Sequence, residues 1–411
     1  MMNRRPPTAL KDAALDIVRR LRDAGHVALF AGGCVRDMLM RRRPADYDVA
    51  TDATPDQIIP LFRRTRKVGV QFGVVLVGVG PHWIEVATFR TDADYRDGRR
   101  PTAVHFTTPR NDALRRDFTI NGMFYDPIAR EVVDHVGGRR DLSRRLIRAI
   151  GDPSRRFAED HLRMLRAVRF AARLGFRVEP RTLNAIRRHA RHIVRVSAER
   201  IGEELRLILT HPGRAVAWRL IADTDLLPHL WTGADATAAR VRETGARLAA
   251  LPADSSFELG LAAVLLHAAP HDVRHACAAL RTSNRTRDTV AWLCAQCPRL
   301  DKPDALTLAD VKLLMARPAF EDLLALFSAD LRAARRPLAA HRRLVRRAAA
   351  VPADRVAPPP LLTGDDLHHM RVPQGPIYRD VLDRVYYAQL NEEIADRAAA
   401  CALARRLLDG A

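Results

Sequence analysis

The sequence predicts an α+β chain: strands fall within the first 150 of its 411 residues, and helices run from there to the end. Three observations predict it. Residues 27–52 read as strand, glycine turn, helix, strand, and residues 74–89 read as a β-hairpin. After Ile150-Gly151-Asp152-Pro153 strand-like runs largely disappear, and long Arg- and Ala-rich segments carry apolar residues at helical spacing.

Taken in order, Thr8–Ala24 places Leu10, Ala13, Ala14, Ile17, Val18 and Leu21 on one helical face and is stopped by Gly25, which marks a packing helix. The apolar run Val27–Phe30 meets Gly32-Gly33, and a helix over Val35–Met40 follows at once. A glycine pair admits backbone angles closed to other residues and lets a ligand approach the main chain. Backbone N–H groups and the positive end of a helix then point at one place, which suits a phosphate chain. Asp46-Tyr47-Asp48 opens the next strand, Tyr47–Ala50, and residues two apart on a strand project to the same side. Asp46 and Asp48 are therefore candidate ligands for a hard divalent cation such as Mg²⁺, held together with substrate phosphates.

Pro55–Phe62 reads as a short helix, and Val74–Val79 and Trp83–Phe89 as paired strands. Glu85 on the second strand is either a third carboxylate near the metal or an edge-strand charge. Thr91–Pro101 is polar, dense in charge of both signs and without periodicity, and reads as a mobile loop. In Leu114–Asp126, Arg116, Asp117 and Asn121 have the hydrogen-bonding groups to hold a triphosphate and a ribose; the alternative is a helix N-cap with a charged first turn. Val132–Leu142 is a strand and a glycine turn. A helix is expected over Ala158–Leu174, closed by Gly175, with Asp160 and Arg163 one turn apart and Arg166 and Arg169 extending the same side. Val196–Leu209 is expected to be a helix capped by Ser197. Helical hairpins fill about 212–350; Pro352 and Pro358-Pro359-Pro360 mark a linker, and helices over Ile377–Leu390 and Ile394–Leu408 follow.

Composition narrows the partners. Hydrophobic residues make up 47% and charged residues 28%, a globular balance. The net charge of +20 is carried almost wholly by arginine, since Lys11, Lys67, Lys302 and Lys312 are the only lysines. A field of that sign favours a polyanion. No apolar run reaches the ~18–20 residues that span a bilayer. Five scattered cysteines and a start without an apolar core argue for a reduced, cytoplasmic protein, with Cys294 and Cys297 as buried thiols.

Six ordered blocks make the chain resemble a class II tRNA nucleotidyltransferase, the bacterial branch of the CCA-adding enzyme and poly(A) polymerase family. They are Gly32-Gly33-Cys34-Val35-Arg36-Asp37, Asp46-Tyr47-Asp48, Arg115–Asn121, Gly137–Leu142, Glu159–Arg163 and Glu199-Arg200-Ile201. The resemblance implies a polymerase-type nucleotidyltransferase head with a mixed β-sheet (1–150), then an all-helical neck (151–215), body (216–350) and tail (361–411). It implies addition of CMP, CMP and AMP to a tRNA 3′ end from CTP and ATP, with two Mg²⁺ ions, and contacts to the tRNA acceptor and elbow. Asp46 and Asp48 would be the catalytic metal ligands. Gly32, Gly33, Arg36, Arg116, Asp117 and Asn121 would bind the nucleotide, and Asp160, Arg163, Arg166 and Arg169 would select and bind its base. The flexible segment at 92–101 matches one that the family ties to the change from C to A addition.

Two departures stand out. Gly122 lies where alanine is commoner, and the adjacent His-Asp metal motif of many relatives is absent, His267 being followed by Ala268 and His271-Asp272 lying behind Pro270. A poly(A) polymerase, an enzyme adding only CC or only A, and a catalytically silent RNA-binding protein remain as alternative readings.

Overall fold

In the computed structural model, the described residues are 9–92, 95–96, 100–101, 104–231, 237–373 and 375–409. The chain divides into two compact units, one formed by residues 1–208 and 216–236, the other by 209–215 and 237–411.

The first unit is built on a seven-stranded mixed sheet. Its strands are β1 (Ala28–Ala31), β2 (Asp48–Thr51), β3 (Thr65–Arg66), β4 (Val74–Val79), β5 (His82–Thr88), β10 (Phe124–Asp126) and β11 (Glu131–Val133), in the order β11-β10-β1-β2-β5-β4-β3. Between β5 and β10 the chain forms two short ribbons, β6 (Arg90–Asp92) with β9 (Val104–Phe106) and β7 (Tyr95–Arg96) with β8 (Arg100–Pro101). The central pair sets the chemistry: β2 runs antiparallel to β1 and parallel to β5, with Val49 opposite both Phe30 and Val86. Helices α1 (Leu10–Asp23) and α3 (Pro55–Leu61) supply Ile17, Val18, Leu21 and Ile58 to a core shared with Phe30, Val49, Val75 and Val86. Tyr47 also points into this core, edge-on to Phe30 at 5.3 Å, so alternation sends its neighbours Asp46 and Asp48 the other way.

Helices α2 (Gly33–Leu39), α4 (Pro109–Arg115) and α5 (Gly138–Ser143) flank the sheet. Gly138 is required by contact: a Cβ there would lie 2.3 Å from the Thr119 carbonyl oxygen. The expected helix over 158–174 is two helices, α6 (Pro153–Glu159) and α7 (Arg163–Leu174). Asp160 breaks it by taking an extended conformation and turning its own side chain onto the Leu162 N–H at 3.1 Å. Helices α8 (Pro180–His189) and α9 (Ala198–Leu209) follow. Ser197 does not cap α9 with its hydroxyl, which is buried without a hydrogen-bond partner.

The segment read as a loop, Thr91–Pro101, is paired backbone wherever it is described, through the two ribbons above. Residues 93–94 and 97–99 of that segment lie outside the described residues.

The second unit is helical. Arg247, 1% exposed on helix Ala238–Ala250, donates to Asp330 at 2.7 Å, to Glu243 at 3.0 Å and to the Ala263 carbonyl at 3.1 Å. His267 closes the same group, 3.3 Å from Asp330 and 3.5 Å from Glu243. His267 therefore pairs with carboxylates remote in sequence, around a guanidinium that offsets one of their two charges. His271 meets only its exposed neighbour Asp272, at 3.0 Å, and Pro270 opens a new helix, Pro270–Ala279. Cys277, Cys294 and Cys297 are buried free thiols, and burial pushes Cys294 up to about 12. Leu367, Val381, Val385, Ala400 and Ala404 form a separate C-terminal cluster.

Candidate active site

One cleft of about 470 Å³ in the first unit gathers the catalytic and nucleotide-binding candidates. Gly32, Gly33, Arg36, Asp46, Asp48, Arg116, Asp117, Asn121, Asp160, Arg163, Arg166 and Arg169 all line it. Arg115, Arg173 and Phe170 join them, which brings seven arginines to its wall.

The cleft begins at the glycine turn. Gly32 has φ +72°, the left-handed region that other residues rarely enter, and a Cβ there would sit 3.1 Å from an Arg116 Nη. Arg36, midway along α2, is 5% exposed; its guanidinium donates to Asn121 Oδ1 at 2.7 Å and to Asp37 at 2.8 Å. Its fork is thereby fixed before any ligand arrives.

Across the turn lie the carboxylates. Asp48 opens β2, half-buried, while Asp46 is exposed just ahead of the strand. Burial, then the charges of Glu85 and Asp46, push the Asp48 carboxyl up to about 7 against the opposing pull of Arg116. Glu85 stands on β5, an interior strand paired on both sides, so it is not an edge-strand charge. Carboxylates held together at this cost form a donor set that fits a hard divalent cation, which relieves their repulsion.

Two of the acids that hold these arginines lie outside the motif blocks. Asp112, 1% exposed, accepts from Arg116 at 3.0 and 3.1 Å and from Arg115 at 2.7 Å. Burial pushes its carboxyl up, but the guanidinium charges of Arg116 and Arg115 outweigh it and hold the group below the usual range. Glu204 of α9, 5% exposed, holds Arg169 at 2.6 and 3.4 Å. No local pattern marks Asp112 or Glu204 among the many charges of their helices. Phe170 gives a common platform, with the guanidinium carbons of Arg169, Arg36 and Arg166 at 4.3, 5.4 and 5.4 Å from its centroid.

Asp117 and Asn121 are themselves committed. Asp117 accepts two bonds from Arg166, at 2.7 and 3.0 Å, plus the Phe118 N–H and the Asn121 amide. Burial opposes its charge, yet Arg166 prevails and the carboxyl stays low. Through these bonds Asp117 orients Arg166, and Asn121 orients Arg36.

The break between α6 and α7 turns Asp160 and Arg163 to the cleft. Arg200 of α9 grips Asp160 in a fork at 2.8 and 3.2 Å. Arg163 donates to Glu159 at 2.9 Å and to the carbonyls of Arg156 and Arg115, each at 3.2 Å. Those bonds use three of its five N–H groups.

A model of the poly(A) polymerase head domain matches residues 28–148, and one described as the probable RNA- and SrmB-binding site of polymerase A matches 175–237. Residues 28–148 and 175–237 are thus similar to the head and RNA-binding parts of this family. A CCA-adding enzyme of Bacillus pumilus is 45% identical over 197 residues, 48% of this chain and 49% of that protein. The Bacillus subtilis CCA-adding enzyme is 43% identical over 218 residues, 53% and 55% of the two chains. The chain thus matches about half the length of these curated relatives. A crystal structure of the Bacillus stearothermophilus CCA-adding enzyme in complex with CTP matches 98% of this chain and 99% of its own, at TM-score 0.80 and 29% identity. The Thermotoga maritima CCA-adding enzyme complexed with tRNA matches at TM-score 0.68 over 98% and 97%, where 19% identity speaks for the fold alone. Gly122, the family departure, packs so closely that a Cβ would meet Ile150 and Val136 at 2.9 Å, which accounts for glycine there.

Proposed function

We propose that this chain adds CMP, CMP and AMP to the 3′ end of tRNA without a nucleic-acid template, using CTP and ATP and releasing pyrophosphate. The observation that carries this reading is the convergence in one cleft of the Asp46-Asp48 pair, the Gly32-Gly33 turn and the Asp160-Arg163 pair.

In this reading the triphosphate lies against Gly33 and Arg36, with Arg116 completing the positive wall. Asp46 and Asp48 would hold two Mg²⁺ ions, which when bound acidify the tRNA 3′-hydroxyl and neutralise the pyrophosphate leaving group. The 3′-oxygen attacks the α-phosphorus, one P–O bond forms and the α–β P–O bond breaks. Asp160 and Arg163 read the base. Asp160 Oδ2 takes one bond from Arg200 and retains capacity to accept from the exocyclic amine shared by C and A. Arg163 retains N–H groups for a ring acceptor. Residues 1–150 then serve as catalytic head, 151–215 as neck, 216–350 as body and 361–411 as tail, the helical parts tracking tRNA.

Incubation of the purified protein with tRNA ending in the discriminator base, in C or in CC, and with each labelled NTP in turn, tests the assignment. Full CCA on the first substrate is expected; runs of A on all three would favour the poly(A) polymerase reading. tRNA affinity is also expected to fall steeply with salt, by about tenfold or more between 50 and 200 mM, because phosphates are neutralised by arginine and counterions are released. Filter binding across that range checks it, and a flat affinity contradicts a backbone-tracking body and tail.

A further inference from the structure

Behind the Asp160-Arg163 turn lies a column of three histidines. His161, the residue between Asp160 and Leu162, is 4% exposed and packs its ring 5.3 Å from that of His192. His192, in the 3₁₀ turn Ala190–Arg195, packs in turn 5.7 Å from His189 at the end of α8. This column joins the turn that carries the base-reading pair to the segment that leads into α9, where Arg200 and Glu204 hold Asp160 and Arg169.

The geometry demands neutral rings. His192 Nε2 lies 3.2 Å from Arg191 Nε and accepts its N–H, which an imidazolium cannot do. His161 Nδ1 and His189 Nδ1 are buried with no hydrogen-bond partner, so placing a charged ring at either costs the desolvation of a buried polar group, offset at His161 by the Phe157 carbonyl alone. The charges around the column are mostly of the wrong sign for a cation. His161 faces His192, His189 and Arg195, with the Phe157 carbonyl as its favourable contact from α6; His192 faces Arg191, Arg195 and His189; His189 faces Arg188 and Arg191, with Asp152 as the one opposing carboxylate.

We propose that His161, seated on His192 and His189, is a positioning residue for base selection: the neutral column holds the Asp160-Arg163 turn in its reading position, and protonation of the column releases that turn. The inference rests on the reading of this cleft as the site of nucleotide choice. In all three histidines burial first, then neighbouring positive charge, lowers the pKa below the ordinary 6.5. The sign follows. A depressed value favours the folded, ordered state at pH above 6.5, and that advantage is lost as the pH falls through the lowered values.

The test measures (kcat/KM) for CTP over that for UTP on tRNA ending in the discriminator base, between pH 7.5 and pH 5.5, using the full chain. The ratio, unlike the rate, is insensitive to titration of groups that act on both nucleotides alike. The wild-type ratio is expected to fall about fivefold or more on acidification, by partial loss of a discrimination of ten- to hundredfold per contact. A His161→Phe/His189→Phe/His192→Phe variant, which keeps flat rings but leaves no column nitrogen to protonate, is expected to hold its ratio within about twofold over the same range. His161→Ala is expected to lower the ratio already at pH 7.5 while tRNA binding is kept. If the triple variant melts early, His161→Phe alone, which removes the titratable ring that lies within the turn itself, gives the same comparison. A wild-type ratio that is flat with pH, or a triple variant that falls as steeply as wild type, overturns the inference while leaving nucleotide addition intact. Absence of CTP addition by the wild-type protein at pH 7.5 overturns the functional reading itself.

Discussion

Asp46→Ala or Asp48→Ala is expected to lower kcat for nucleotide addition roughly a thousandfold or more, with tRNA affinity changed less than about twofold. The first figure is the loss of about 4 kcal/mol of transition-state stabilisation that metal-held charge supplies. The second follows from place: both carboxylates line the cleft beside the triphosphate wall, and a change there touches no surface proposed to track the tRNA backbone. A fold defect is separated by melting. Asp48 is repelled by Glu85 and Asp46 and pushed up to about 7, so its removal relieves a strained cluster and should leave the melting temperature unchanged or higher. Mg²⁺ should raise the melting temperature of the wild type and have little effect on Asp48→Ala, because a cation stabilises only the state that binds it. Single-turnover kinetics with saturating CTP provide the measurement. Retention of more than about a tenth of wild-type kcat in either variant removes the two-carboxylate assignment.

What the sequence disclosed of this site follows the range over which each signal acts. The glycine turn and Asp46-Tyr47-Asp48 are local, because strand alternation and glycine freedom act over a few residues, and the structure places both at the cleft. Arg163, Arg166 and Arg169 likewise repeat at one helical spacing. Their partners come from far along the chain: Glu204 reaches Arg169 over 35 residues, and Asp117 reaches Arg166 over 49. In a chain with 48 acidic residues, no local pattern selects Glu204, and none pairs Asp117, itself legible in its motif block, with Arg166. The break at Asp160 was hidden for a related reason. Helical periodicity runs through residues 158–174, and only the cap made by Asp160 on Leu162, with Arg200 gripping the same carboxylate, turns the chain there. Glu85 was ambiguous because strand order is a property of the whole sheet. Once β5 lies between β2 and β4, the charge belongs beside Asp48.

Replacing Asp160 with alanine is expected to collapse discrimination between CTP and UTP by roughly ten- to hundredfold, with a smaller loss in the rate of C addition. A carboxylate accepts from the exocyclic amine of C or A, whereas U and G present a carbonyl oxygen at that place, and two facing acceptors leave a buried charged group unpaired at a cost of about 1–3 kcal/mol. Removing the carboxylate removes that penalty, so the wrong nucleotides gain while the right ones lose a single bond. Arg200 sharpens the test. It grips Asp160 at 2.8 and 3.2 Å without lining the cleft, so Arg200→Ala should lower the same ratio by freeing the Asp160 side chain, and by less than Asp160→Ala does. Charge alone predicts the opposite ordering of effects on rate and ratio: if Asp160 belonged only to an ion-paired helix face, both variants would slow all four nucleotides equally. Steady-state kcat/KM for each NTP on tRNA ending in the discriminator base distinguishes the two, and unchanged ratios in Asp160→Ala would return this residue to a structural ion pair with Arg200.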